Sequence, residues 1–187
     1  MENNVQEPKS EADELIPPGC SLFVSWIIVN TAGLGLGWLL GWWISFLTPA
    51  LVSPAVIGGV TGLIQGGFGW IVLQSHKKNL FWWIPVTVAG WAIGFTTGTL
   101  VAQSLGVSEV GFGLVTGAVT GTVLGTAQWL VLQKSMKRAF WWIPASIFAL
   151  TSAFMFYRPN LSPWGFVYGM MYGIVTSVAL LWLIYAE

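Results

Sequence analysis

The sequence predicts an all-helical integral membrane protein, a six-helix bundle built from three helical hairpins. Of its 187 residues, 55% are hydrophobic and only 7% are charged, whereas soluble domains carry about 25% charged residues. Six apolar segments are each long enough, or nearly so, for the helix of about 20 residues that crosses a bilayer core. A stretch of 28 residues, Gly58 to Pro85, also returns 59 positions later as Gly117 to Pro144 with 15 identities. That period fits two membrane helices and their turns.

Residues 1–20 read as a disordered acidic tail on the cytoplasmic side. Glu2, Glu7, Glu11, Asp13 and Glu14 stand against Lys9, and Pro8, Pro17 and Pro18 break any helix. One transmembrane domain follows, residues 21–187. Its helices are expected at about Ser21 to Leu47, Leu51 to Gln74, Leu80 to Leu105, Val110 to Gln133, Ala139 to Tyr157 and Pro163 to Tyr185. The connections are short, which makes sequential helices antiparallel neighbours.

Cytoplasmic loops are enriched in Lys and Arg. With six spans, Lys9, Lys77, Lys78, Lys134, Lys137 and Arg138 share one side and Arg158 stands alone on the other. Both termini are therefore expected inside.

The first helix reads as a diverged copy of the third. Aligning Trp26 with Trp83 places Ile27 on Ile84, Val29 on Val86, Ala32 on Ala89, Gly33 on Gly90 and Gly37 on Gly94. Three parallel hairpins result, at about 21–76, 77–135 and 136–187. Repeats of like orientation are related by an axis along the membrane normal, so pseudo-threefold symmetry is expected.

Gly58, Gly62 and Gly66 on the second helix, Gly117, Gly121 and Gly125 on the fourth, and Gly165, Gly169 and Gly173 on the sixth recur four residues apart. Small residues at that spacing let backbones approach where lipid supplies no hydrophobic drive. They read as packing faces, or as a docking face for another membrane protein where a ladder stays open. The tryptophans beside the basic loops, Trp82, Trp83, Trp141 and Trp142 with Trp26, read as an interfacial belt, and Trp42, Trp43 and Trp164 as its outer counterpart.

No Asp, Glu, Lys, Arg or His falls inside a predicted span, and ion-coupled transport normally needs such groups there. The symmetry makes Asn30, Thr87 and Ser146 equivalent, one on each odd helix. They read as interhelical hydrogen-bonding groups, or as a polar ring around a small pore. Gln74 and Gln133 are shared interfacial amides. No Ser/His/Asp set, paired carboxylates or metal-ligand spacing is visible, so no catalytic or metal site is expected. Neutral net charge with clustered lysines argues against nucleic acid.

The run Gly125 to Gln133, with Gln128 and Trp129 at its centre, leads into a basic loop and a tryptophan-rich helix start. It resembles a recurring unit of uncharacterised bacterial multi-pass membrane proteins. The earlier copy departs from it, with Gly69 where the later has Gln128. The resemblance implies a bacterial multi-pass protein and carries over no activity or binding residue, so any cofactor is left open. The expected location is the cytoplasmic or an internal, thylakoid-like membrane.

The functional expectation is a non-enzymatic protein that works by association. It would serve as a scaffold or accessory subunit, or hold a lipid-like or pigment ligand, with membrane lipids and other membrane proteins as partners. The alternative is a channel or facilitator for a small neutral solute.

Overall fold

The computed structural model describes residues 18–76, 80–156 and 164–185. Residues 1–17 of the acidic tail, Lys77, Lys78 and Arg158 lie outside the described residues, while the last three residues assigned to the tail, Pro18, Gly19 and Cys20, are instead the first of a helix, where proline costs no internal hydrogen bond. Those described form α-helices and one short 3₁₀ turn, with no strand among them. We number the helices α1 Pro18–Ser45, α2 Ser53–Gln74, α3 Trp83–Leu105, α4 Glu109–Leu132, α5 Trp142–Phe154 and α6 Trp164–Tyr185, with the 3₁₀ turn Ala139–Trp141 leading into α5. Five of them, α1 to α4 and α6, are long and apolar enough to cross a membrane.

The helix ends follow local chemistry. Pro54 lies in the first turn of α2, and Pro85 and Pro144 are the third residues of α3 and α5, where a missing N–H breaks no internal bond. Gly106 ends α3 at φ 58°, a left-handed cap that glycine adopts without a Cβ clash. Ser108 then caps α4, its hydroxyl accepting from the Gly111 N–H at 3.3 Å. The fifth helix is shorter than the expected Ala139 to Tyr157: its start tightens into the 3₁₀ turn, and its regular part ends at Phe154.

Each helix packs on the next in the chain, and α6 returns to pack on α1. The glycine ladders make these approaches possible. A Cβ on Gly58 would stand 2.5 Å from the Trp91 carbonyl oxygen, on Gly62 2.7 Å from Val88 Cα, and on Gly66 3.2 Å from Thr87 Cβ. Gly117, Gly121 and Gly125 meet α5 at Leu150, Ile147 and Ser146 in the same way, and Gly165, Gly169 and Gly173 meet α1 at Trp38, Asn30 and Ile27. All nine glycines are buried, so each ladder is filled by the following odd helix or by α1.

The odd helices answer with small residues of their own. Gly33, Gly37 and Gly41 bring α1 against Gln65, Thr61 and Ile57, and Gly90, Gly94 and Gly98 bring α3 against Leu124, Thr120 and Thr116. On α5 the corresponding positions are Ala149 and Ala153, and the α5–α6 seam is the least extensive around the ring.

Candidate functional site

Side chains four residues apart stack on one face of a helix, and each odd helix points such a row inward. The rows are Trp26, Asn30, Leu34 and Trp38 on α1; Trp83, Thr87, Trp91 and Phe95 on α3; and Trp142, Ser146, Leu150 and Phe154 on α5. All twelve are buried. The interior is therefore layered, with one side chain from each odd helix in each layer.

The first layer is a triad of indoles in edge contact, with ring centroids 6.2 Å apart for Trp26 and Trp83 and 6.0 Å for Trp142 with each of them. This corrects the belt expected from position: Trp26, Trp83 and Trp142 are 1%, 2% and 0% exposed. Gly69, with no side chain, leaves room for the indoles of Trp83 and Trp26. Their neighbours Phe81, Trp82, Phe140 and Trp141 stay outside. The last layer is a second triad, Trp38, Phe95 and Phe154, with centroids 5.1 to 6.1 Å apart.

Between the triads lies a polar layer. Trp142 Nε1 donates to Gln128 Oε1 at 2.8 Å, and Trp26 Nε1 donates to Thr176 Oγ1 at 2.9 Å. Trp83 Nε1 instead faces Gly69, where a Cβ would lie 3.0 Å away. Gln128 Nε2 donates to Thr87 Oγ1 at 3.1 Å, and its Oε1 also accepts from the Tyr172 hydroxyl at 3.3 Å. Gln65 Nε2 donates to Asn30 Oδ1 at 2.8 Å, Asn30 Nδ2 donates to the Trp26 carbonyl at 2.8 Å, and Trp91 Nε1 donates to Gln65 Oε1. Gln128 thus ties α4 to α3, α5 and α6, and Gln65 ties α2 to α1 and α3.

The crevice among Trp26, Asn30, Gln65, Gly69, Trp83, Gln128 and Tyr172 has no room for a water-sized sphere. Buried polar groups cost free energy unless they are hydrogen-bonded, and here the amides and indoles largely bond to one another.

Of the residues singled out from sequence, Asn30, Thr87 and Ser146 are buried in this layer. Asn30 and Thr87 bond across helices, and Ser146 packs against Gly125. Gln74 and Gln133 are exposed at helix ends, away from the layer. Gln65 and Gln128, which the symmetry does not pair, are the amides that bond Asn30 and Thr87. Many hydroxyls bond within their own helix, as Thr31 to the Ile27 carbonyl and Thr120 to the Thr116 carbonyl. Among the described residues no three His, Cys, Asp or Glu side chains gather to hold a metal.

The outer surface is different in kind. Apolar grooves open on it between α5 and α6, about 460 Å³, and between α2 and α3, about 590 Å³, both edged by exposed tryptophan.

An apolar, multi-pass helical chain with its polar groups turned inward and its aromatic residues both inside and out is an integral membrane protein. It matches no known family model, no curated protein and no solved structure.

Proposed function

We propose that the chain is a six-span bundle of three parallel hairpins, pseudo-threefold about the membrane normal, with both ends inside. We further propose that it works by association in a bacterial membrane rather than by catalysis. It serves as an accessory subunit or scaffold, or holds a lipid-like or pigment ligand on its outer face. The observation that carries this reading is the contrast between interior and surface. The axis is filled by two aromatic triads and a hydrogen-bonded layer, while apolar grooves edged by tryptophan face outward.

The same filling weighs against a channel. Asn30 and Thr87, the polar groups such a path would use, already bond to Gln65 and Gln128, and the crevice beside them admits no water.

Purification in mild detergent, with mass spectrometry of whatever accompanies the protein and an absorption spectrum, tests the proposal. A partner protein, lipid or pigment in fixed ratio is the expected result. A monomer free of all three would overturn it, as would solute flux in liposomes abolished by Asn30→Leu.

A further inference from the structure

Three features mark the groove between α5 and α6. It opens on the seam where the contact between neighbouring helices is the least extensive around the ring. Its wall is apolar along its length, formed by Trp141, Pro144 and Ala145 on one side and Val175, Val178 and Trp182 on the other. Trp141 and Trp182 meet in a T-shaped, edge-to-face contact at its end, with ring centroids 6.1 Å apart.

At that same end the Arg138 guanidinium lies over the Trp182 ring, 5.3 Å from its centroid. Cation and ring attract each other through the ring quadrupole, which holds the exposed guanidinium at the mouth of the groove. Lys134 and Lys137 belong to the same turn of chain and are also exposed. The groove thus has an apolar trough ending in a cluster of exposed cationic side chains. Basic pockets between membrane helices are where anionic headgroups bind.

We propose that this groove is a binding site for an anionic phospholipid, with an acyl chain along Val175 and Val178 and the phosphate on Arg138. Arg is suited to that role because its planar fork meets two phosphate oxygens at once. The site rests on the reading of the chain as an associating membrane protein and specifies one ligand class and one place for it.

The experiment uses the full chain, delipidated in detergent and given phosphatidylglycerol or phosphatidylcholine, with bound lipid counted by native mass spectrometry. Wild type should retain one phosphatidylglycerol at least about tenfold more tightly than phosphatidylcholine, the scale of one well-placed charged contact. Arg138→Ala should remove most of that preference. Val178→Trp should lower retention of both lipids by filling the trough; because Val178 is exposed, this variant is expected to fold, which its melting curve checks. Lys134→Ala should change retention much less.

Equal retention of the two lipids by wild type would overturn the proposal. So would retention unchanged in both Arg138→Ala and Val178→Trp, or a Lys134→Ala loss equal to that of Arg138→Ala, which would show diffuse attraction to the basic loop. A partner protein or pigment co-purifying with an Arg138→Ala protein that has lost no lipid would sink this site while leaving the association reading intact.

Discussion

Gln128 and Trp142 are joined by a hydrogen bond of 2.8 Å from the indole nitrogen to the amide oxygen, and both side chains are buried. The same amide also serves Thr87 and Tyr172, so a single side chain holds three helices to α4. Replacing it by leucine keeps much of the volume but strands an indole N–H and two hydroxyls.

Single interhelical bonds in membranes average about 0.6 kcal/mol, while an unsatisfied buried polar group costs about 1–3 kcal/mol. Gln128→Leu should therefore lower unfolding free energy by about 2–4 kcal/mol. Gln133→Leu, exposed five residues later, should change it by less than about 0.5 kcal/mol. Reversible denaturation in mixed micelles measures both, and equal effects would refute the assignment of the polar layer as the bundle's polar tie.

The glycine ladders give a second prediction. A Cβ on Gly169 would strike the Asn30 carbonyl and stand 2.8 Å from Thr31 Cα, so Gly169→Ala forces α6 away from α1. Overpacking of this kind costs about 1–3 kcal/mol. Gly67 has nothing within 4 Å of its added Cβ, and alanine there gains up to about 1 kcal/mol of helix propensity. The two variants should shift the thermal melt in opposite directions. Similar destabilisation by both would mean that backbone approach is not what the ladder supplies.

The ladders were legible because a spacing of four needs only one helix to be recognised. The inward face of the odd helices was not. Every face of these helices is apolar, so periodicity carries no inward signal, and Trp83 next to Trp82 reads as a belt on position alone. The polar centre was hidden by the repeat itself. In the 59-residue register Gln65 aligns with Leu124 and Gln128 with Gly69, so the two glutamines look unrelated. In space they stand one turn apart on α2 and α4 and feed the same layer. Equivalence drew attention to Asn30, Thr87 and Ser146, which are present in that layer, and away from the amides that bond two of them.

The adjacent pair Trp82 and Trp83 separates interior from surface within a single repeat. Trp83 is 2% exposed and in edge contact with two indoles, whereas Trp82 is 63% exposed. Trp83→Ala should cost about 3–5 kcal/mol, as large-to-small changes of buried aromatics do. Trp82→Ala should cost less than about 1 kcal/mol, as surface substitutions usually do. The melting temperatures of the two proteins in the same detergent decide it, and a larger loss at Trp82 would place the wrong indole in the core.

Topology turns on α5, the one helix short of a full span. Its 13 residues rise about 20 Å, and the three of the preceding 3₁₀ turn add about 6 Å. The total of about 26 Å falls a few Å short of a hydrocarbon core of about 30 Å. Bilayers thin locally around short spans at a cost of fractions of a kcal/mol per Å, and exposed Trp141 and Phe140 at the start of α5 suit the headgroup level. A crossing by α5 therefore costs little, whereas leaving it on one surface would separate Trp142, Leu150 and Phe154 from the layers they complete. In a Cys20→Ser background, Ser108→Cys and Met155→Cys should react with an impermeant maleimide from the outer face only, and Ser135→Cys from the inner face only. Labelling of positions 135 and 155 from the same face would mean that α5 does not cross, and the six-span arrangement would fall with it.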